Sequence, residues 1–212
     1  DSELGEVPEG WEVEPFSDLA RLDTTSVKPY NEPNKLWEHY SIPAFDTNET
    51  PALELGSEIK SNKYKVNSTA ILSSKLNPNT PRTWWPEVDD SNSAICSTEF
   101  MQFIPTYETQ RAFIFGLVIS DPFQSGIKQR VTGSTGSRQR AQPRAIAEMN
   151  ILKPKEDIIQ TFCLRLTALL NLKAKAIKEN NELSHLRDTL LPKLLSGEVR
   201  ISGAEKVMEE LV

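Results

Sequence analysis

Residues 155–191 read KEDIIQTFCLRLTALLNLKAKAIKENNELSHLRDTLL, a stretch with neither glycine nor proline. Nothing in it interrupts an α-helix, which at 1.5 Å per residue would run roughly 55 Å. Glu156 and Asp157 fall in its first turn, where the positive end of the helix dipole favours carboxylates. Phe162, Leu169, Leu172, Ala176, Leu183, Leu186 and Leu190 recur in alternating steps of four and three, with the polar Arg165 and Glu179 holding two places of the register. A stripe so long and narrow suits the seam of a coiled coil better than a flat globular core. A compact domain of about 150 residues would not cover it end to end. These seven residues are therefore the expected helix-pairing interface, with a helix lying across its own domain as the alternative.

Leu191 precedes Pro192, and the residue before a proline is pushed out of helical backbone. The long helix is expected to end or kink there. PKLLSG (192–197) then predicts a short second helix with proline in its first turn and Gly197 past its end. GEVRI (197–201) predicts a terminal strand, and GAEKVMEELV (203–212) a weakly helical end.

Before the helix the texture is different. A turn at Pro8-Glu9-Gly10 leads into a short strand from Trp11, and Ser17 is placed to cap a helical turn through Leu22. WEHYSIPAF (37–45) predicts a strand that Pro43 confines to an edge or an end. YKVNSTAIL (64–72), AICSTEFMQFI (94–104) and RAFIFGLVIS (111–120) are rich in β-branched and aromatic residues and predict buried strands. Pro- and Asn-rich turns separate them, and no internal repeat is present. The expected fold class is α+β, with a β-rich globular domain over 1–153 followed by a long coiled-coil-forming helix with its short C-terminal element in 154–212.

The chain has 212 residues and a net charge of −6, with 24 Lys+Arg against 30 Asp+Glu. That balance argues against a protein that coats nucleic acid unspecifically. No apolar run approaches the roughly 20 residues needed to span a bilayer, and the first ten residues lack a basic signal-peptide start. Cys96 and Cys163, far apart in apolar or helical contexts, suggest reduced thiols and a cytoplasmic protein. No membrane association is expected.

Most catalytic chemistries lack their residues. There is no phosphate-binding GxxxxGK[ST] loop and no CxxC. The two histidines, His39 and His185, sit on different elements, against a metal site or a Ser-His-Asp triad. Asn77-Pro78-Asn79 lacks the second proline and the aromatic of an amino-methyltransferase motif. Asp89 and Asp90 lie in a Ser/Asn loop and suit a turn rather than a nuclease centre. The expectation is no catalytic residue, no metal and no cofactor of the chain's own.

One window stands against the acidic background. From Pro122 to Ala147 there is no carboxylate, while Lys128, Arg130, Arg138, Arg140 and Arg144 supply five positive charges. Within it, Gly133 and Gly136 let backbone N–H groups approach a ligand. Thr132, Ser134, Thr135 and Ser137 offer hydroxyl donors for phosphate oxygens. Arg138 and Arg140 have the fork that fits guanine O6/N7 or a phosphate, and Gln139 suits adenine. Lys60, Lys63, Lys75 and Arg82 are secondary candidates for DNA contact. The alternative is a solvated loop whose arginines pair with carboxylates elsewhere. Trp84, Trp85, Tyr40 and His39 are expected to be structural.

The end of the helix, NNELSHLRDTLLPKLLSGEVRI (180–201), closely resembles the conserved region of the specificity (S) subunit of type I restriction-modification enzymes. DSELGEVPEGWEV, WEHYSIPAFD, Ile71–Pro78 and ICSTEF are similar to the entry and framework of that family's target recognition domain, and TGSTGSRQR resembles its late polar loop. The resemblance covers nearly the whole chain and implies a function. Each recognition domain of an S subunit reads one half of a split double-stranded DNA target, and its helix pairs with a second helix. Methyltransferase subunits carrying S-adenosylmethionine dock on the helices, and the restriction motor subunit joins separately. The S subunit catalyses nothing.

The sequence departs from that pattern in having one recognition domain and one helix. Its start resembles the junction before a second recognition domain, and it begins with Asp1 rather than Met. The expectation is a C-terminal half of a longer S subunit or a half-subunit that dimerises, self-associating through the leucine stripe. Two other readings stand beside DNA recognition. One is a coiled-coil scaffold without sequence readout; the other is an enzyme fragment, which an assay for cleavage or methyl transfer would expose.

Overall fold

The computed structural model describes residues 6–88, 90–133 and 139–198. The expected terminal strand and weak helix after Gly197 lie almost wholly outside them. The chain divides into two units, residues 1–170 and 171–212, and the long helix contributes to both.

In the first unit, β1 (Glu12–Pro15) runs into a single turn, α1 (Phe16–Leu19), which Pro15 rather than Ser17 precedes as cap. Then come β2 (Ala20–Asp23), β3 (Ser26–Val27) and β4 (Leu36–Tyr40). The strand expected over 37–45 stops at Tyr40. The Ser41 side chain accepts a hydrogen bond from the Ala44 N–H, and Pro43 sits in the first turn of α2 (Ile42–Asn48), where a missing N–H costs nothing. β5 (Ala52–Leu55) folds back antiparallel on β4.

The segments 64–72 and 94–104 are not single strands. The first breaks into β6 (Lys63–Lys65) and β7 (Ile71–Ser74) at an Asn67 turn, where Asn67 Oδ1 accepts from the N–H and hydroxyl of Thr69. After β8 (Thr83–Trp84), the second breaks into β9 (Ala94–Ser97) and β10 (Phe100–Pro105). Each break moves the chain from one sheet to another. The five-stranded sheet has the order β3-β6-β9-β4-β5, with β4 and β9 parallel. The four-stranded sheet, β2-β10-β7-β8, is antiparallel throughout. Gln102, fully buried in β10, holds the first break: its Oε1 accepts from the Asn67 N–H and its Nε2 donates to the Lys65 carbonyl.

RAFIFGLVIS is helical, contrary to expectation: α3 spans Arg111–Ile119. A run buried nearly all round loses the period that distinguishes helix from strand. Ser120 then accepts from the Phe123 N–H and caps α4 (Asp121–Gln129). A two-residue hairpin pair follows, β11 (Val131–Thr132) and β12 (Arg140–Ala141), then α5 (Pro143–Ala147) and β13 (Asn150–Lys153). β13 closes antiparallel on β1.

The largest apolar cluster packs α1, α3, α4 and α5 with β7, β10 and the start of the long helix through Ile159, Cys163 and Leu170. Phe16 is fully buried in it, edge-on to Phe103 at 5.0 Å and to Phe123 at 4.8 Å. A second cluster collects Tyr40, Leu72, Trp84, Cys96 and Phe100. Trp84 is thus core, and Trp85 packs edge-on to Phe115 with the Arg111 guanidinium stacked 3.8 Å from its ring centre.

The long helix, α6, spans Glu156–Leu195. It runs through Pro192 instead of ending there, so Pro192–Leu195, expected in a second helix, belong to α6. Proline so near the helix end deprives only one carbonyl, that of Asp188, of its i+4 donor, and these turns are exposed to water. Gly197, at φ 74°, ends the helix in the left-handed conformation. In the second unit no described residue is buried, and Leu172, Leu183 and Leu186 are 64 %, 64 % and 52 % exposed. Ala176 and Leu190 are exposed as well, as is Leu169 in the first unit. Phe162 differs from the other stripe residues: its ring meets Phe113 edge-on at 6.3 Å, within the first unit.

Candidate nucleic-acid interface

β12 lies against the turn that follows β7. Ala141 donates its N–H to the Lys75 carbonyl at 2.8 Å, Leu76 bridges Arg140, and Asn77 donates to the Gln139 carbonyl at 3.0 Å. Lys75 in turn donates its N–H to the Glu99 carbonyl. Asn77 has φ 49°, so the chain reverses there, and Thr80 donates its N–H back to the Asn77 carbonyl. Gln139 and Arg140 are thereby brought beside Lys75 from a distant part of the sequence, and Ser74, next to Lys75, donates its N–H to the Arg82 carbonyl. Thr132 joins them through its hydroxyl, which donates to the Arg140 carbonyl, and Gly133 has φ 107°, a conformation that disfavours a side chain. Ser134, Thr135, Gly136, Ser137 and Arg138 lie outside the described residues.

Arg140 and Arg82 both hold carboxylates. Arg140 grips Glu99 with Nε and NH2, at 3.0 Å each for the shortest contacts. Arg82 grips Asp46 in the same way, at 2.6 Å and 2.8 Å, and also donates from NH1 to the Thr80 carbonyl. The hydrogen bond from Arg82 pulls the Asp46 carboxyl below its usual range, and each arginine is held more firmly protonated by its partner. Pairing of Arg140 with a distant carboxylate is what the alternative reading of a solvated loop expected, and Arg82 is paired in the same way; the sequence did not show which carboxylates, Glu99 and Asp46, would be the partners. They lie 41 and 36 residues from their arginines, with no local signal of the pairing.

The two remaining lysines fall elsewhere. Lys60 is exposed, with its ammonium donating to the Ser57 carbonyl. Lys63, a secondary candidate for DNA contact, has little surface to offer. It opens β6, is only 8 % exposed, and donates to the Ser61 hydroxyl, and burial lowers its pKa. His39 and Tyr40 are buried, His39 Nδ1 lying 3.1 Å from Glu54 Oε2 and the Tyr40 hydroxyl donating to Glu38. Among the described residues no cluster of three or more His, Cys, Asp or Glu is arranged to hold a metal, and no helix is long and apolar enough to cross a membrane.

A mixed α+β unit that runs into a long helix has counterparts among solved proteins. The fold is that of one half of a type I restriction-modification specificity subunit, as the resemblance in the sequence implied. The chain superposes on the HsdS subunit of Thermoanaerobacter tengcongensis with a TM-score of 0.64 at 16 % identity, covering 96 % of this chain and 52 % of that one. For the S subunit of M. genitalium the TM-score is 0.55 at 13 % identity, over 92 % and 48 %. In sequence, the chain is 24 % identical over 204 residues to the Type I restriction enzyme HindI specificity subunit of Haemophilus influenzae, which matches 91 % of this chain. The chain spans 42 % of that relative's length. No family model matches the chain.

Proposed function

We propose that the chain is a non-catalytic DNA sequence-recognition unit that reads one half of a bipartite target within a type I restriction-modification enzyme. Residues 1–153 form the DNA-reading domain, and the conserved region over 154–212 spaces it from a second recognition half or a second copy and docks the methyltransferase subunits. S-adenosylmethionine and the chemistry belong to those subunits, and the motor subunit joins the full complex in the cytoplasm. The observation that supports this is the juxtaposition of Gln139 and Arg140, from a stretch of sequence without carboxylates, with the turn that starts at Lys75, held by backbone hydrogen bonds. A base-reading side chain needs a rigid seat, and this strand has one.

The test is selection from a random duplex library by the chain copurified with its methyltransferase subunit. Enrichment of a short motif, once or twice at fixed spacing, is the expected outcome. A stable protein complex that enriches nothing would favour the scaffold reading, which draws its own support from the long exposed stripe on α6.

A further inference from the structure

Arg140 and Arg82 look alike in sequence and differ in what they leave open. A guanidinium has five N–H groups on two usable edges. Arg82 spends one edge on Asp46 and its NH1 on the Thr80 carbonyl. Arg140 spends only its Nε–NH2 edge, on Glu99. Among the described residues nothing accepts from its NH1, and its side chain is 49 % exposed where that of Glu99 is 27 %.

Glu99 is itself held in place. Its carbonyl accepts from the Lys75 N–H at 2.9 Å, and its own N–H donates to the Ser97 hydroxyl at 3.2 Å. The strand carrying Arg140 is tied to the same Lys75 through Ala141. Carboxylate and guanidinium are therefore fixed to one backbone segment from two sides.

We infer that Glu99 is the positioning residue for Arg140: it fixes the near edge of the guanidinium so that the NH1–NH2 edge is presented to one base pair, with Arg82 serving as a brace for the turn. This rests on the DNA-recognition reading above. An aimed fork loses less side-chain freedom on meeting guanine O6/N7 than a free one. The same carboxylate repels a phosphate that approaches without offering a base acceptor. Glu99 thus favours the target and disfavours random duplex.

The experiment compares the full chain with Glu99→Gln, Arg140→Ala, Arg140→Lys and the double variant Glu99→Gln/Arg140→Ala. Each is copurified with the methyltransferase subunit and bound to the selected target, to its single base-pair substitutions and to random duplex. Glu99→Gln is expected to lower preference at one base pair about tenfold, the size of a bidentate contact. It should act at the same base pair as Arg140→Ala and Arg140→Lys, and leave random-duplex binding equal or tighter. The double variant should match Arg140→Ala alone. If Glu99→Gln keeps the wild-type preference at that base pair, or relaxes a different one, the positioning role is overturned while DNA recognition stands. If the wild-type complex prefers no sequence, both fall together.

Discussion

Asn77 donates its backbone N–H to the carbonyl of Gln139 at 3.0 Å while itself in the left-handed region at φ 49°. Asparagine tolerates that conformation; a β-branched residue does not. Asn77→Val is expected to cost about 1–2 kcal/mol and to loosen the seat of β12. Asn77→Gly, free of the Cβ penalty, should keep stability close to wild type. Urea unfolding of both variants checks this, and equal loss in the two would show that backbone conformation at Asn77 is not the cause.

The two arginines are expected to separate in binding. Arg82 is closed on both edges, so Arg82→Ala should weaken duplex binding modestly and by the same factor on every sequence. Arg140→Ala should change which sequence is preferred. A bidentate guanine contact carries about 1–3 kcal/mol of discrimination. Titrations against the selected target and its single substitutions distinguish the two patterns. A sequence-selective effect at Arg82 would reverse the assignment.

Much of this arrangement was legible in the chain, and the rest failed for identifiable reasons. α6 announced itself through a stretch without glycine or proline and through its leucine spacing. Arg111–Ile119 did not, because Phe113, Ile114, Phe115 and Val118 are all buried and leave no polar face to count from. The divided strands were hidden because the residues on either side of Asn67, and of the turn after Ser97, are equally β-forming. The basic window was legible from charge alone. The carboxylate partners were not, since Glu99, in the turn between β9 and β10, and Asp46, on α2, meet Arg140 and Arg82 only in the folded chain.

His39 supplies a pH dependence. It is 8 % exposed, its Nδ1 is 3.1 Å from Glu54, and its Nε2 is buried with no hydrogen-bond partner among the described residues. Burial lowers its pKa below the ordinary 6.5, with Glu54 opposing and nearby Lys63 adding to the shift. The folded state therefore binds this proton less readily than the unfolded chain. Stability is unaffected by His39 well above pH 6.5 and declines as pH falls through 6.5. Unfolding titrations across that range should show a shallower acid slope for His39→Gln than for wild type. Identical slopes would mean that His39 is protonated as easily in the fold as out of it.

Phe16 has no exposed surface and touches both Phe103 and Phe123 edge-on. Phe16→Ala is expected to cost about 3–5 kcal/mol, a large part of the roughly 5–15 kcal/mol that holds an ordinary domain folded. A thermal melt of the full chain would show a large drop in midpoint. A loss below about 1 kcal/mol would mean that neighbouring side chains collapse into the space.

The leucine stripe of α6 exposes Leu169, Leu172, Leu183 and Leu186 by half or more of their surface. Each leucine that leaves water on helix pairing contributes about 1.5–3 kcal/mol, so a carboxylate in its place is strongly unfavourable in a paired state and nearly neutral in an unpaired one. Leu172→Glu with Leu183→Glu is expected to abolish self-association of the full chain. Leu164→Glu, on the same helix, 77 % exposed but outside the stripe, should leave it intact. Light scattering at micromolar concentration reads the mass of each, and a thermal melt should find the recognition unit unchanged within about 0.5 kcal/mol in all of them. A wild-type chain that is already monomeric under these conditions would remove self-pairing. The stripe would then be a surface for the second recognition half alone, and the same double substitution should block assembly with that half.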